Sequence, residues 1–337
     1  MAKRAALIGT GMVSDTFADA LRHSTTVTLA GVMARSEASA RAFLNRNPSD
    51  VRIYASAEEI ATDPAVDFVI LATPPDARGA FVEAFSGAGK PILMEKPVER
   101  TLAAARALAD TAKVPIGVVL QHRARPSARA LAERASGLGA LRAVEVTVPW
   151  WRPQSYYDVP GRGTYARDGG GVLLTQAIHT LDLALQFTGP VAEVRSLTAT
   201  TGFHQMEAED FTSAALTFAN GAIGHVFATT AAFPGRTEEI RLHYADASVL
   251  LQSALLEINW HSGETEVIGA AAASGAGADP MAFTSVWHRA VIEDFADSLD
   301  TDRPPIAPIR SALAVHALID AIEQSSCDGA PATPEST

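Results

Sequence analysis

Apolar and polar positions follow two different patterns along this chain. In the first 120 residues, short apolar runs are separated by Ala-rich stretches with helical spacing, such as 36–46 and 101–112. The apolar runs occupy 5–9, 26–33, 67–72, 91–95 and 115–120. Continuous apolar runs are typical of parallel strands that are covered on both faces, and their alternation with helices indicates βαβ units. We therefore predict an α/β Rossmann domain with a parallel sheet over residues 1–122.

After about residue 140, longer stretches alternate between polar and apolar residues. They occupy 141–150, 192–201, 210–219, 222–232 and 239–252, and Asn220-Gly221 between two of them is a strong hairpin signal. This pattern predicts an α+β domain with a large, mostly antiparallel open sheet over 123–326, whose last helix can pack back on the Rossmann domain. The turn-rich stretch 270–280 predicts a surface loop. Residues 327–337 are rich in Pro, Thr and Ala and predict a disordered tail.

Composition narrows the class of protein. With 337 residues, of which 47% are hydrophobic, the chain is large enough for two domains. A formal net charge of −11 without a Lys/Arg run argues against nucleic acid or an anionic membrane as a partner. The single cysteine, Cys327, excludes a disulfide framework within the chain. No apolar run reaches the ~18 residues of a membrane span, and "MAKRAALIGTGM" is better explained as a first strand than as a signal peptide. We expect a cytoplasmic protein.

A glycine-containing loop follows the first predicted strand. In "LIGTGMVS", Gly9 and Gly11 allow a tight turn and a close approach of the backbone to a pyrophosphate, before a helix whose N-terminus favours anions. The alternative is a plain strand–helix turn, but the surrounding βαβ units favour a dinucleotide site. The loop residues expected to contact the cofactor are Gly9, Thr10, Gly11, Met12 and Val13.

The end of the second strand bears on the choice of cofactor. NAD sites usually have an acidic residue there, whereas this chain has Ala34 followed by Arg35 and Ser36. An arginine and a hydroxyl can hold a 2′-phosphate through charge-assisted hydrogen bonds. An ordinary solvated arginine and a helix-capping serine are the alternative. We favour NADP over NAD.

Four motifs together resemble a known family. "LATPP" (71–75), "MEKP" (94–97) and "GGGVLLTQAIHTLD" (169–182), with the glycine loop, resemble the glucose–fructose oxidoreductase, inositol dehydrogenase and rhizopine-catabolism family over roughly residues 1–325. The resemblance implies hydride transfer between a nicotinamide cofactor and a secondary alcohol or hemiacetal carbon of a sugar, polyol or derivative. It also implies a homodimer or homotetramer formed through the open sheet face.

The resemblance assigns roles to particular residues. Thr73 and Pro74 are expected against the cofactor ribose and diphosphate, and Glu95 near the nicotinamide ribose. Lys96 is expected at the substrate oxygen, while Pro97 shapes the turn. Gln121, at the end of the last Rossmann strand, is expected near the nicotinamide.

The glycine-led helix carries a polar stripe. Thr175, His179 and Asp182 lie at i, i+4 and i+7 and therefore share one face of an otherwise apolar helix. The glycines at 169–171 are expected to let the helix begin close to a ligand, with unobstructed N–H groups. Histidine suits the removal of a hydroxyl proton, and a lysine at the same oxygen stabilises the developing alkoxide. We predict Lys96 and His179 as catalytic, in roles that they can share or exchange, and Asp182 as the residue that orients the His179 ring.

The alternative for this stripe is a core histidine with an aspartate that caps the helix or forms a salt bridge. The family most often has Asp or Asn at the position of Thr175, and many members have His at the position of Arg78. Thr175 can bind a substrate hydroxyl but cannot act as a carboxylate base, so His179 carries more of the proton transfer. Other predicted substrate-binding residues are His122, Arg123, Trp151 and Arg162. For the aromatic stretch 150–168, which contains the last two, a structured loop packed on the sheet is an equally good interpretation.

A metal site is not predicted. His204, Glu207, Glu209 and Asp210 cluster in sequence, but a loop of solvated charges explains them more simply. His288 in "VWHRAV" fits a pocket or a helix surface equally well.

Two other functions remain open at this point. One is the oxidation or reduction of a non-sugar, such as a dihydrodiol or a small aldehyde. The other is a non-enzymatic regulator that binds a dinucleotide without turnover. The presence of both Lys96 and His179 favours an enzyme.

Overall fold

The computed structural model describes residues 2–272 and 275–337. The chain divides into two compact units. The first contains Met1–Glu99, Ala103–Gln121 and Thr284–Ala312, and the second contains Arg100–Leu102, His122–Phe283 and Leu313–Thr337. Positions 273 and 274 of the predicted surface loop 270–280 lie outside the described residues.

The helices and strands are numbered in chain order. The strands are β1 (Lys3–Ile8), β2 (Val27–Met33), β3 (Arg52–Ile53), β4 (Phe68–Leu71), β5 (Ile92–Glu95), β6 (Ile116–Val119), β7 (Leu141–Pro149), β8 (Val191–Ala199), β9 (Phe211–Phe218), β10 (Ile223–Thr229), β11 (Glu239–Tyr244), β12 (Ala247–Gln252), β13 (Leu255–Trp260) and β14 (Thr265–Ile268). The α-helices are α1 (Ser14–Arg22), α2 (Glu37–Arg46), α3 (Ala57–Thr62), α4 (Arg78–Gly87), α5 (Leu102–Thr111), α6 (Pro126–Arg134), α7 (Gln154–Tyr157), α8 (Ile178–Thr188), α9 (Val286–Thr301) and α10 (Ile309–Asp328).

The first unit is built on a parallel sheet. Among the described residues this sheet has six strands, in the order β3-β2-β1-β4-β5-β6. Every residue of β4, β5 and β6 is buried, as expected for strands covered on both faces. The strand order reverses between β1 and β4, and ligands of such sheets bind at the carboxyl ends of the strands at this switch point. The cofactor residues predicted from the sequence follow β1, β2, β4, β5 and β6.

The second unit is built on a larger sheet. In the part of the chain that the structure describes, its eight strands follow the order β14-β13-β12-β11-β7-β10-β9-β8, and its neighbours are antiparallel except for β7 and β10. The Asn220-Gly221 signal is confirmed as the β9–β10 turn, where Gly221 has a φ of +87°. On β7, Val144, Val146 and Val148 are buried and alternate with less buried residues, so one face of the sheet packs on the core.

The structure confirms the predicted fold class, a parallel Rossmann sheet with a separate and mostly antiparallel sheet. The division of the chain differs from the predicted one, because Arg100–Leu102 and His122 belong to the second unit and Thr284–Ala312 belongs to the first, where α9 packs against α1, β2 and β6. The tail also differs from the expected disorder. Helix α10 continues through Cys327 to Asp328, and Ala332, which is buried, forms a bridge with Val194. No helix within the described residues is long and apolar enough to cross a membrane.

Candidate active site

The loop after β1 has the shape of a phosphate cradle. Gly9 has a φ of +100°, and a Cβ at this position would lie 2.7 Å from the carbonyl oxygen of Ala72, so only glycine fits there. A Cβ on Gly11 would meet no atom within 4 Å, which leaves open space in front of the loop. Helix α1 begins directly behind it, and its N-cap residue, Val13, provides no side-chain cap. The loop therefore fits a pyrophosphate at the helix N-terminus.

Two buried polar atoms at the carboxyl ends of parallel strands point to the same ligand. Thr73 Oγ1 and Gln121 Oε1, which follow β4 and β6, have no hydrogen-bond partner among the described residues. Buried polar atoms are almost always paired in folded proteins, because an unpaired one loses its hydration without compensation. A bound dinucleotide would supply partners for both atoms. The residues present therefore fit an NAD(P) site, in which Gly9–Val13 would hold the diphosphate and Thr73 and Pro74 would contact the ribose and diphosphate.

The end of β2 presents Arg35 and Ser36 at the surface. Both residues are exposed. Ser36 is the N-cap of α2 and its Oγ accepts a hydrogen bond of 3.2 Å from the backbone N–H of Ser39. Ser36 thus caps the helix, as in the alternative interpretation of the sequence. Contact of Arg35 or Ser36 with a 2′-phosphate stays a prediction.

Lys96 follows β5 in a turn that a buried arginine supports. The Lys96–Pro97 peptide bond is cis. Beneath it, the guanidinium of Arg78 is fully buried and donates hydrogen bonds to the carbonyl oxygens of Glu95 and Pro97. The same group donates to the carbonyl oxygen of Thr73 at 2.9 Å. Burial lowers the pKa of Arg78 to about 10, so the side chain keeps its charge at neutral pH. Arg78 therefore ties the loop after β4 to the turn that carries Lys96.

Glu95 and His288 form a buried pair beside this turn. Glu95 Oε2 accepts a hydrogen bond of 3.0 Å from the Lys96 backbone N–H, and Glu95 Oε1 lies 3.9 Å from His288 Nε2. Burial raises the pKa of Glu95. Burial and, to a smaller extent, the Lys96 charge lower the pKa of His288 to about 4, so this imidazole is neutral at physiological pH.

The sequence left the position of His288 open. The helical spacing of nearby apolar residues could have located it, since Val291, Ile292 and Phe295 follow His288 at i+3, i+4 and i+7 and all are buried. A histidine on such an apolar face is inside the protein rather than on its surface.

The glycine-led helix begins differently from the expected open N-terminus. Glu209 accepts hydrogen bonds from the backbone N–H groups of Gly171 at 2.9 Å and Leu173 at 3.0 Å. A Cβ on Gly171 would lie 1.7 Å from the Glu209 carbonyl oxygen. The glycine is therefore required by the close approach of the Glu209 backbone, and the carboxylate of the same residue occupies the helix N-terminus that was expected to face a ligand.

The helix is also not regular throughout. Leu173–Ala177 is a π-helical segment, and α8 begins at Ile178. A π turn contains more residues than an α turn, so the regular spacing assumed for Thr175 and His179 does not hold across it. Thr175 Oγ1 donates to the Gly171 carbonyl oxygen at 2.6 Å and also contacts the Gln176 side chain.

His179 lies among predicted site residues of the second unit. Its ring centroid is 5.1 Å from that of His122, and both imidazoles are buried. Asp182 was expected to orient the His179 ring, but its two carboxylate oxygens accept from Arg123 Nε at 2.7 Å and Nη2 at 2.5 Å. Burial raises the pKa of Asp182, and the bonds from Arg123 oppose that rise. Arg123, predicted to bind substrate, is therefore the partner of Asp182, and the aspartate forms the salt bridge that the sequence left as an alternative.

Aromatic side chains connect three further residues that were predicted to bind substrate, Arg162, Thr175 and Trp151. The guanidinium of Arg162 lies 4.1 Å from the centroid of the Tyr156 ring, and the Tyr156 hydroxyl is 3.5 Å from Gln176 Nε2, next to Thr175. Trp151 instead packs edge-on against Phe203 and Phe233. Arg162 and Thr175 are thus connected through Tyr156 and Gln176. The Trp151 ring is connected to the same group, because it lies 5.9 Å from the His204 ring, which packs against Tyr157 beside Tyr156.

The sequence predicted a loop of solvated charges for His204, Glu207, Glu209 and Asp210, and this prediction was wrong for three of the four. His204, Glu209 and Asp210 are buried, and His204 Nδ1 lies 2.6 Å from Asp210 Oδ2. His204 Nε2 lies 2.8 Å from the carbonyl oxygen of Arg152. The described residues contain no group of three or more His, Cys, Asp or Glu side chains that could hold a metal ion.

Comparison with known proteins gives matches over both units. Residues 3–120 match the model of an oxidoreductase family with an NAD-binding Rossmann fold, GFO/IDH/MocA, and residues 128–250 match the C-terminal domain model of the same family. The chain is 30% identical to inositol 2-dehydrogenase of Rhizobium meliloti over 204 residues, which are 59% of this chain and 58% of that protein.

Solved structures show the same fold over the whole chain. The WlbA dehydrogenase of Bordetella pertussis, in complex with NADH and UDP-GlcNAcA, has a TM-score of 0.81 at 24% identity and 100% coverage of both chains. Levoglucosan dehydrogenase in complex with NADH has a TM-score of 0.84 at 20% identity, again with 100% coverage of both chains.

The curated relatives match over only part of their length. The matches cover 43% to 58% of those proteins, so the chain spans about half the length of the curated relatives it matches. The two models of the family match residues 3–120, which contain the parallel sheet, and residues 128–250, which contain most of the second sheet. The chain therefore belongs to the GFO/IDH/MocA family of oxidoreductases, with an NAD-binding Rossmann fold.

Proposed function

We propose that this protein transfers a hydride between NAD(P) and a secondary alcohol or hemiacetal carbon of a sugar, polyol or sugar derivative. The observation that carries the proposal is His179, a buried imidazole on the glycine-led helix of a chain whose Rossmann unit has a dinucleotide cradle. The names of the relatives support the substrate class, since they include dehydrogenases of inositol and levoglucosan.

The proposed chemistry divides between two side chains. The nicotinamide, when bound, supplies the acceptor or donor of the hydride. In the oxidising direction, His179 takes the proton from the substrate hydroxyl as the C–H bond breaks, which leaves a carbonyl product. Lys96 donates a hydrogen bond to the same oxygen and stabilises its developing negative charge. In the reducing direction the same groups return the proton.

The second unit offers groups suited to a polyhydroxylated substrate. Tyr156 presents an aromatic ring with the Arg162 guanidinium stacked on it, and Thr175 carries a hydroxyl on the segment that leads to His179. Aromatic faces and guanidinium groups suit sugar rings and carboxylates. We propose that Thr175 and Arg162 contribute to substrate binding, with His122, Arg123 and Trp151 as further candidates.

A substrate panel tests this function. We expect nicotinamide reduction with at least one sugar, polyol or sugar acid, measured by absorbance with NAD and with NADP. Dihydrodiols and small aldehydes belong in the same panel, because turnover restricted to them would overturn the substrate class. Dinucleotide binding without turnover of any compound in either direction would instead indicate a regulator.

The cofactor preference makes a separate prediction. We propose that NADP is preferred, since Arg35 is exposed at the end of β2 and no acidic residue stands at position 34. Arg35→Ala should then weaken NADP binding by about tenfold, the effect of losing one charge-assisted contact, and leave NAD binding nearly unchanged. Fluorescence titrations with both cofactors measure this, with the exposed Arg41→Ala on α2 as the control. Equal losses for NAD and NADP in Arg35→Ala would contradict the preference.

The open sheet face makes a prediction about assembly. Leu197 on β8 and Ile223 on β10 are 59% and 63% exposed, and the strand register places both on the face opposite the core. We propose that this face joins subunits in a homodimer or homotetramer. Sedimentation at micromolar concentration should show an oligomer that Ile223→Lys weakens, while Val286→Lys, at an exposed position on α9, should not. A monomeric wild-type protein would overturn the proposal.

A further inference from the structure

A buried polar network lies beside His179 within the second unit. Arg125 Nη2 is 2.6 Å from Glu238 Oε1 and 2.5 Å from His122 Nε2. The His122 ring in turn lies against the His179 ring, with 5.1 Å between the centroids and 35° between the planes. These four side chains are 1% to 7% exposed, so bulk water does not screen their interactions.

The contact between Arg125 and His122 determines where the His122 proton is. A guanidinium has only donor hydrogens, whereas each imidazole nitrogen either donates or accepts. Nη2 carries two hydrogens, which suffice for one bond to Glu238 and one to His122. Nε2 of His122 must therefore be the acceptor, and the ring proton is on Nδ1. Protonation of Nε2 would bring two N–H groups and two positive charges together in a buried place.

Glu238 holds the arginine in this position. Its Oε1 accepts from Arg125, and its Oε2 accepts from Trp150 Nε1 at 3.3 Å. Glu238 Oε1 also lies 4.0 Å from His122 Nε2, where an unbalanced carboxylate would favour a protonated ring. Its charge is balanced by Arg125. The neighbouring ion pair of Arg123 with Asp182 is likewise balanced within itself.

We propose that Arg125 and Glu238 are positioning residues that hold His122 as the neutral Nδ1–H tautomer against His179. His122 is then a fixed hydrogen-bond donor, and only one imidazole of the pair exchanges a proton during the reaction. The catalytic consequence rests on the proposed function of His179, whereas the tautomer of His122 is a property of the protein without substrate.

The tautomer is measured directly by long-range ¹H–¹⁵N correlation spectra of the protein with ¹⁵N-labelled histidine. The His122 signals among those of the nine histidines are assigned by their loss in His122→Phe. We expect a protonated Nδ1 and an unprotonated Nε2 between about pH 5 and about pH 9, the range in which an ordinary histidine titrates. An Nε2–H tautomer, or an ordinary titration of His122, would overturn the proposal whatever the enzyme turns over.

Variants of the arginine extend the test to the reaction. Arg125→Met keeps an unbranched side chain but removes the donor, so His122 should become able to titrate. A charge on His122 disfavours a charge on His179, so the midpoint of the kcat–pH profile should fall by about one pH unit. Arg125→Lys keeps a cation and should restore part of the wild-type profile. Arg129→Met, at an exposed position one turn along α6, is the matched control.

The outcomes separate the two proposals. If Arg125→Met does not fold, the wild-type spectra alone decide the tautomer. If His122 is the Nδ1–H tautomer but His179→Ala keeps its turnover, the proposed role of His179 fails and the proposed tautomer of His122 stands. If His179→Ala is inactive but His122 titrates normally, the proposed tautomer fails and the proposed role of His179 stands. If no compound of the panel is turned over, the proposed function fails, and the spectra still decide the tautomer.

Discussion

We expect His179→Ala to lower turnover by roughly 10²-fold or more, the scale of a general acid–base contribution, and to leave dinucleotide binding intact. The imidazole is buried on α8, in the second unit, whereas the glycine cradle and Thr73 belong to the first. Loss of the ring therefore removes the proposed acceptor of the substrate proton and leaves the residues proposed to hold the cofactor unchanged. Steady-state kinetics on the best compound of the panel and fluorescence titration of the cofactor measure the two effects separately.

Lys96→Met should lower turnover by a similar factor, because it removes the proposed donor to the substrate oxygen while keeping an unbranched side chain. If both groups act on one proton transfer, the double variant loses less than the product of the two single losses. The exposed His23→Ala and Lys113→Met are the controls and should turn over like the wild type. Near-wild-type turnover in His179→Ala would mean that the histidine is structural and that the proton path lies elsewhere.

We expect Gly171→Ala to destabilise the protein by about 3 kcal/mol or more, near the upper end for single substitutions. The added Cβ would lie 1.7 Å from the Glu209 carbonyl oxygen, a main-chain atom that cannot rotate away. This steric clash can be relieved only if the glycine-led helix and Glu209 move apart. Separation of the two also breaks the hydrogen bonds from Gly171 and Leu173 to the Glu209 carboxylate.

Thermal and urea unfolding measure this loss. Gly79→Ala in α4 is the matched control, since its Cβ would meet no atom within 4 Å and an alanine in a helix is favourable by up to about 1 kcal/mol. A Gly171→Ala protein as stable as the Gly79→Ala protein would contradict the close approach of Glu209.

A comparison of Gly9 and Gly11 with Gly171 shows which features neighbouring residues in the sequence can predict. Gly9 and Gly11 follow a strand and precede a helix, so their neighbours in sequence already indicate a phosphate loop, and the geometry of both fits that role. Gly171 also stands at the start of a helix, and the same reasoning predicted an open N-terminus. The residue that fills it, Glu209, is distant in sequence, and nothing near Gly171 indicates it.

For His288 and His122, too, the residues near them in sequence do not indicate their partners in the folded chain. Helical spacing could have placed His288 on the buried face of α9, because Val291, Ile292 and Phe295 are close to it in sequence. Its neighbour Glu95, however, comes from β5 and is visible only in the folded chain. For His122, the sequence indicated its chemistry, but the accepting role of Nε2 follows from Arg125 and Glu238.

The architecture of this protein follows from the amino-acid sequence, because the spacing of hydrophobic residues indicates which faces of a strand or helix are buried. Continuous apolar runs predicted the parallel sheet, and alternating runs predicted the antiparallel one. The partners of the polar side chains are evident only in the folded chain, as for Asp182 with Arg123 and for the N-terminus of the glycine-led helix with Glu209. A buried charged group is stable only if an opposite charge or a hydrogen-bond partner lies within hydrogen-bond distance. Which residue provides that partner depends on the folded chain, because residues far apart in sequence can be close in space.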